Sequence, residues 1–311
     1  MDQKISVIIP TADRPESLPY ALASLRAQNV KDIQVVVVND GGADVREVLA
    51  PFRDDLGVEL VSYADNLGPS AARNAGLDAA DGDFVMFLDD DDVILPGHLD
   101  AVLAVINDDR ADVVYPTMKV STTRHEPTSE GYRDAAAAFD YDFDHDFLLM
   151  ANYIPPAGLT MRRPGPGGPR FDRDIRLAED WDLWLRMVAD GYRFHHADVA
   201  SVVYHRLPRH DHKADPAASE SRAIHAFHQG YNLLCDRWAV APDSPAARGR
   251  ALVQRAYELA FVQLDRHHRL VSPYWWEDML RVLHGQHTGK LAEADVEPAL
   301  LASVTGRGEA L

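Results

Sequence analysis

The sequence predicts an α/β protein in which a parallel sheet is followed by a set of C-terminal helices. Over about the first 115 residues, short β-branched segments alternate with segments of helical periodicity. After residue 116 this alternation weakens, and from about residue 215 the chain shows amphipathic helical patterns only. Alternating strands and helices are typical of a parallel sheet joined by right-handed crossovers.

The first part of the chain contains five predicted strands, each short and rich in β-branched or aromatic residues. The first reads KISVIIP and the fourth FVMFL. The five lie at 4–10, 33–38, 58–62, 84–88 and 112–115. Apolar residues at helical spacing predict helices between them, at 15–28, 43–53, 68–80 and 96–108.

The second part is less regular. Residues 121–146 are polar and acidic, and the segment RPGPGGP at 163–169 predicts a turn-rich loop. A helix is predicted at 178–190 and a strand at 198–204. Four amphipathic helices complete the chain, at 216–238, 245–268, 273–284 and 295–303.

Charge and composition exclude several classes of partner. The 311 residues include 31 basic and 49 acidic side chains, a net charge of −18, which repels nucleic acid and anionic membranes. An acidic protein needs a metal ion or a few placed arginines to bind a nucleotide diphosphate. The single cysteine, Cys235, precludes an internal disulfide. No apolar run reaches the roughly 18–20 residues of a membrane span, and no signal-peptide pattern precedes the first strand, so a cytoplasmic protein is expected.

Ligands bind beyond the carboxyl ends of the strands in open sheets of this kind. Four loops follow predicted strands there, at 10–15, 39–42, 66–74 and 89–92.

Four consecutive aspartates, Asp89 to Asp92, directly follow the strand predicted at 84–88. Adjacent carboxylates repel one another, and a hard divalent cation with oxygen ligands removes that repulsion. Alternate residues of an extended segment point the same way, so two of the acids can share one ion. A solvated acidic turn is the alternative. The buried strand before the run and Pro96 at the start of the next helix favour a metal site.

Two further loops carry side chains suited to a nucleotide. Asp40 ends the strand pattern in VVVVNDGG, where its carboxylate could accept the N3–H of a uracil ring. Residues 66–74 open a helix whose free N–H groups favour phosphate, and Arg73 in its first turns could reach a diphosphate or a sugar hydroxyl. A turn-forming aspartate and an ordinary capped helix are the structural alternatives.

Glu179 and Asp180 begin the helical pattern in AEDWDLWLR. Helix capping alone would explain two acids at this position. The functional interpretation is a carboxylate general base, with Trp181 and Trp184 excluding water and raising its pKa.

Histidines cluster after the strand predicted at 198–204, at His205, His210 and His212. The chain returns there to the carboxyl edge of the sheet, so His205 or His210 could complete a metal site. A structural or merely exposed histidine is the alternative.

Taken in order, these motifs resemble the family 2 glycosyltransferases. They are a strand ending Pro-Thr with Arg14 following, then NDGG, NLGPSAARNAG, FLDDDDVILPGHL and AEDWDLWLR. The resemblance covers about residues 4–205 and implies the GT-A fold, the Rossmann-like fold of nucleotide-diphospho-sugar transferases. It implies a GT-A domain at 1–212, with a nucleotide-binding half at about 1–115 and an acceptor half at about 116–212. The remainder, 213–311, would be a helical extension.

The resemblance also assigns roles to residues. Asp89 to Asp91 match the DXD motif, in which Asp91 is expected to bind Mn²⁺ or Mg²⁺ directly and Asp89 to support the metal or the ribose. The family often has Ser or Ala in place of Asp90, which leaves open which acids coordinate. In the ED motif, Asp180 matches the catalytic base, with Glu179 beside it. Nucleotide and donor binding falls to Pro10, Thr11, Arg14, Asp40, Asn66, Gly68, Arg73, Asp89 and Asp90.

The implied reaction is an inverting, metal-assisted transfer of one hexosyl or N-acetylhexosaminyl group. The donor is a nucleotide-diphosphate sugar, with UDP-sugar expected, and the acceptor is a hydroxyl or amine of a small molecule or saccharide. The chain lacks the QxxRW motif and membrane helices of the family's processive synthases, which favours single transfer in natural-product or glycan biosynthesis.

Two alternatives belong to other functional classes. One is a catalytically silent module of the same fold that binds a sugar nucleotide or a glycan. The other is a sugar-phosphate nucleotidyltransferase, which should carry a glycine-rich basic loop after the first strand, whereas PTADRPES contains no glycine.

The C-terminal helices carry Tyr274, Trp275 and Trp276. These aromatic residues could form a homodimer surface, a lid or an acceptor platform. The alternative is that they pack into the core of the helical extension.

Overall fold

The computed structural model describes residues 4–30, 32–108, 111–124, 126–128, 132, 135–207 and 215–306. The chain divides into two compact units. Unit 1 comprises Met1–Phe143 and Ile154–Arg206, and unit 2 comprises Asp144–Tyr153 and Leu207–Leu311. No helix in the described residues is long and apolar enough to cross a membrane.

Unit 1 is built on a mixed sheet of nine strands in the described residues. The strand order is β3-β2-β1-β4-β8-β6-β9-β5, with β7 paired to β6. The strands are β1 Ile5–Thr11, β2 Ile33–Asp40, β3 Val58–Tyr63, β4 Phe84–Phe87, β5 Val93–Ile94, β6 Val113–Ser121, β7 Ala136–Phe139, β8 Thr160–Arg162 and β9 Phe194–His205.

The first four strands are parallel, as the alternation of strands and helices predicts. Buried β-branched runs such as Val35 to Val38 form their core. Beyond β4 the sheet becomes mixed, because the short β8 pairs antiparallel with both β4 and β6. The parallel pair β6 and β9 then ends with Ser121 beside His205. The predicted parallel arrangement is therefore confirmed for β1 to β4, and β6 and β9 run in the same direction, with β8 antiparallel between β4 and β6.

Helices of unit 1 connect these strands. They are α1 Leu18–Arg26, α2 Arg46–Leu49, α3 Arg53–Leu56, α4 Pro69–Ala79, α5 His98–Asn107 and α7 Glu179–Ala189. In α7, the apolar residues Trp181, Leu183, Trp184 and Leu185 are buried, because their spacing gives the helix a wide apolar face.

The regular secondary structure of unit 2 is helical in its described residues. It contains α6 His145–Met150, α8 Pro216–Arg237, α9 Pro245–Phe261, α10 Trp275–His287 and α11 Glu293–Thr305. The predicted C-terminal helices are thereby confirmed. Trp275 is buried and contacts the Tyr257 ring edge to face at 5.4 Å between ring centroids, so this aromatic residue packs into the core of the unit.

Several short elements differ from the sequence prediction. The weakly patterned middle of the chain contains β7, β8 and α6, and β5 follows the aspartate run. Strands β5 and β8 have two and three residues, too few to display periodicity. Strand β7 reads Ala-Ala-Ala-Phe, and alanine is depleted in strands. The predicted domain boundary at 212/213 lies outside the described residues.

Candidate active site

The aspartate run leaves β4 at the carboxyl edge of the sheet, where the loop after β1 meets it. The guanidinium of Arg14 pairs with Asp90 at 2.7 Å and also contacts Asp91. The buried hydroxyl of Thr11 donates to Asp90 Oδ2 at 2.6 Å. Pro10 lies half-buried near the end of β1. The structure therefore brings the first predicted nucleotide loop onto the aspartate run.

Burial and mutual repulsion make this run an unfavourable place for negative charge. Burial raises the pKa of Asp90 to about 7, although Arg14 and the Thr11 hydroxyl oppose the shift. Burial also raises the pKa of Asp91, opposed by Arg14. The Asp91 side chain keeps 29% of its surface exposed, whereas that of Asp90 keeps none. Of these two acids, only Asp91 is accessible to a ligand.

Arg73 connects the two acidic motifs. Its side chain lies buried in α4, and its guanidinium donates to Asp89 Oδ1 at 2.8 Å and to Glu179 Oε1 at 2.6 Å. Burial would lower the pKa of Arg73, but the charges of Asp89 and Glu179 raise it above its ordinary value. The aromatic ring of Phe171 lies 5.4 Å from the guanidinium carbon. Nη1 and Nη2 of Arg73 thus each donate to a protein carboxylate.

Asp40 has a structural task besides the one predicted for it. Its two carboxylate oxygens accept hydrogen bonds from the backbone N–H groups of Leu67 and Gly68, each at 2.8 Å. Each oxygen retains a further lone pair, so a bond to a nucleobase is compatible with this geometry. Gly68, at φ +91°, immediately precedes α4, and Asn66 is exposed in the same loop.

The glycines after Asp40 permit loops to meet rather than a ligand to approach. A Cβ on Gly41 would lie 2.3 Å from the backbone of Asn66, and one on Gly42 would lie 2.4 Å from the backbone nitrogen of Asp13. Gly41 also has a positive φ of 71°, which favours glycine. The three loops therefore pack backbone to backbone.

Glu179 and Asp180 occupy the first turn of α7, as predicted. Glu179 is buried and held by Arg73, whereas Asp180 is half-buried and accepts a bond from the N–H of Trp181 at 2.8 Å. Ala178 before them adopts the left-handed conformation, with φ at 61°. The two acids thus have different environments, and Asp180 is the more accessible one.

The end of β9 approaches the aspartate run through Asp92. The backbone N–H of His205 donates to the buried Asp92 Oδ1 at 2.8 Å, and the His205 imidazole Nε2 lies 2.8 Å from the Tyr132 hydroxyl. His205 is therefore near the run, with one ring nitrogen bonded to a tyrosine. His210 lies outside the described residues. The metal-binding role of either histidine stays a prediction.

The described residues include no group of three or more His, Cys, Asp or Glu side chains that could hold a metal ion by themselves. Asp89 and Asp91 supply hard carboxylate oxygens, with 22% and 29% of their side-chain surfaces exposed. Mg²⁺ is commonly bound by one or two carboxylates, substrate phosphates and water. The donor set therefore fits a divalent ion that binds together with a diphosphate.

The carboxylates of this site and two of its arginines are evident from the sequence, whereas Arg124 is not. This residue follows β6 in the polar segment, its guanidinium donates to the Ser17 hydroxyl next to the loop of Arg14, and its charge opposes the rise that burial causes in the pKa of Asp91. Only the path of the chain after β6 brings it to the site, and nothing in the local sequence indicates that path.

Comparisons with known proteins identify the family to which the chain is similar. A family model described as Glycosyl transferase family 2 matches residues 6–163. An uncharacterized glycosyltransferase of Bacillus subtilis, YwdF, is 32% identical over 202 residues, which are 65% of this chain and 74% of the relative. The GalNAc(5)-diNAcBac-PP-undecaprenol beta-1,3-glucosyltransferase of Campylobacter jejuni is 36% identical over 189 residues, 59% of each chain. The chain thus spans somewhat over half the length of this second relative.

Solved structures with similar folds cover nearly the whole chain. Residues 1–349 of Staphylococcus aureus TarS in complex with UDP-GlcNAc match with a TM-score of 0.56 and 19% identity, covering 96% of this chain and 89% of that one. The mannosyltransferase PcManGT from Pyrobaculum calidifontis, in complex with GDP-Man and Mn²⁺, also gives a TM-score of 0.56, with 18% identity and coverage of 97% and 79%.

Proposed function

The chain belongs to glycosyl transferase family 2, and from this premise we propose that it moves one sugar from a UDP-sugar donor to an acceptor hydroxyl or amine, with inversion. Its fold is GT-A, and it is a glycosyltransferase, as its relatives are. The observation that carries the proposal is the bridge made by Arg73, which holds Asp89 of the DXD motif and Glu179 of the ED motif on one guanidinium. The sugar donor and the catalytic base are therefore expected in one site.

The proposed donor site lies along the loops after β1, β2, β3 and β4. Thr11 and Arg14 hold the buried Asp90, and Asp91, which Arg14 also contacts, keeps part of its side chain exposed to a ligand. Asp40 holds the loop before α4 and has lone pairs remaining for a uracil N3–H. The start of α4 offers backbone N–H groups to the diphosphate.

Asp180 is the proposed catalytic base. Its carboxylate would take the proton from the acceptor hydroxyl or amine as that atom attacks the anomeric carbon. The new glycosidic bond forms as the bond to the diphosphate oxygen breaks, and the diphosphate leaves with the electron pair. A divalent ion bound at Asp91 and Asp89 would neutralise charge on that leaving group. One displacement without a protein nucleophile inverts the configuration.

The domain division and the dimer remain proposals. We place the glycosyltransferase domain at 1–212, with its nucleotide half at about 1–115 and its acceptor half at about 116–212. A homodimer through the C-terminal helices is supported by apolar side chains left exposed on unit 2, among them Phe227 and Leu233. Light scattering on the purified protein tests the dimer.

Calorimetric titration of UDP tests the donor site, with Mn²⁺ and with a chelator, in the wild type and in Asp91→Asn. The wild type should bind UDP more tightly with Mn²⁺, and the variant should lose that dependence with affinity falling by about tenfold or more. Asp236→Asn, an exposed site on α8, is the matched control. Equal affinity with and without metal would refute the metal-assisted mechanism, and a wild type that binds neither UDP, dTDP nor GDP would favour a catalytically silent module.

A further inference from the structure

Arg124 is held in a fixed position beside the aspartate run, although it belongs to neither acidic motif. It follows β6, which ends at Ser121 next to the end of β9. Its guanidinium donates to the Ser17 hydroxyl at 3.1 Å and lies 4.8 Å from the centre of the Tyr20 ring. Ser17 and Tyr20 belong to the start of α1. The segment after β6 therefore reaches the loop that carries Arg14.

The charge of Arg124 lacks the partners that the other site arginines have. Arg14 and Arg73 each contact two carboxylates. Among the described residues, Arg124 forms no ion pair, and its buried Nε has no hydrogen-bond partner. Ser17, which holds Arg124, in turn donates its backbone N–H to the carbonyl of Arg14, and Arg14 pairs with Asp90 and Asp91. A half-buried guanidinium held by a hydroxyl and a ring, without a carboxylate, is arranged to receive an anion.

We propose that Arg124 is a donor-binding residue whose guanidinium contacts an anionic oxygen of the nucleotide's diphosphate, an inference that rests on the proposed function. The loop of Arg14 and the ends of β6 and β9 meet at the aspartate run, so a diphosphate bound at Asp91 would lie within reach of the Arg124 guanidinium. Arg124 then supplies a positive charge that is not already shared with two protein carboxylates, as the charges of Arg14 and Arg73 are. A neutral acceptor hydroxyl would not need a cation there.

Binding of UDP is compared with binding of uridine, which lacks the diphosphate. Both ligands are titrated with Mn²⁺ into the wild type, Arg124→Met, Arg124→Lys and Arg222→Met, using calorimetry for UDP and ligand-detected NMR for uridine. Arg222 is exposed on α8 and gives the matched loss of charge. Arg124→Met should bind UDP about ten- to a hundredfold more weakly, while uridine affinity stays within about twofold. Arg124→Lys should retain part of the UDP affinity, because it keeps the charge but loses the planar fork.

A second variant distinguishes direct contact between Arg124 and UDP from the support that Ser17 gives to Arg124. Ser17→Ala removes the hydroxyl that holds Arg124 and keeps the arginine, so UDP binding should weaken by only about two- to tenfold.

UDP affinity unchanged in Arg124→Met would overturn the proposal. An equal loss for UDP and uridine would also overturn it, because the residue would then support the fold of the site. If the wild type and Arg222→Met also fail to bind UDP, the proposed function itself fails, a result distinct from a defect confined to the Arg124 variants.

Discussion

The two acidic motifs of unit 1 hold their charge in different ways. In the aspartate run, four carboxylates lie together, and burial raises the pKa of Asp90, Asp91 and Asp92. At the start of α7, Glu179 is bound by Arg73, and Asp180 is half-buried. Negative charge in the run is opposed by burial, whereas the pair includes one carboxylate, Asp180, that is only half-buried. This difference supports the proposed division, in which the run binds a cation and Asp180 takes the proton from the acceptor.

Asp180→Asn is expected to have the largest effect and tests this division directly. Removing a general base costs about 10²- to 10⁴-fold in rate, so kcat should fall by that factor while UDP affinity stays within about twofold. The measurement is UDP release from a UDP-sugar in the presence of an acceptor, combined with calorimetry. Asp190→Asn, exposed at the other end of α7, is the control. Loss of UDP affinity together with rate would show that the pair also binds charge.

Arg73→Met removes the residue common to both motifs. Breaking a buried ion pair on one side leaves uncompensated charge and typically costs about 3–5 kcal/mol. The free energy of unfolding, measured by urea denaturation, should fall by about that amount. Arg281→Met breaks an exposed pair with Asp278 and should cost no more than about 1 kcal/mol. A similar small loss in both variants would mean that the bridge contributes little to stability.

His98→Gln tests how a buried histidine beside β4 makes stability depend on pH. His98 lies fully buried, with Nδ1 2.8 Å from the Ser201 hydroxyl and Nε2 beside the sulfur of Met86 in β4. Burial lowers its pKa to about 4, so between pH 4 and 6.5 the unfolded chain binds the proton and the folded one does not. Stability from this group is therefore lost as pH falls, by about 2 kcal/mol between pH 7 and pH 5.

The readout for His98 is the difference between variant and wild type, because the raised pKa of Asp90 acts in the opposite direction over the same range. Urea denaturation at several pH values should show that His98→Gln loses less stability than the wild type on acidification. Parallel pH profiles for the two proteins would contradict the prediction.

The sequence was informative where a residue's role depends on its own strand or helix. Asp89 to Asp92, Glu179 and Asp180 were found because each set adjoins a strongly patterned element. Contacts between distant segments were not predictable. Nothing in the chain indicates that Arg73 would turn towards Asp89 and Glu179, or that Asp40 would hold the backbone of Leu67 and Gly68. These contacts depend on loop paths, which hydrophobic periodicity does not specify.

The segment Asp144–Tyr153 belongs to unit 2 but is translated well before the rest of that unit. This order has a consequence for folding during synthesis. These residues include α6 with its buried Phe147 and Leu148, yet the rest of their unit starts only at Leu207. A ribosome adding about 5 to 20 residues per second takes roughly 3 to 10 seconds to make the 53 intervening residues from Ile154 to Arg206. Throughout that interval the apolar side of α6 has no partner helix from unit 2. A nascent chain stalled within this segment would expose that surface, to which a chaperone that recognises apolar segments could bind.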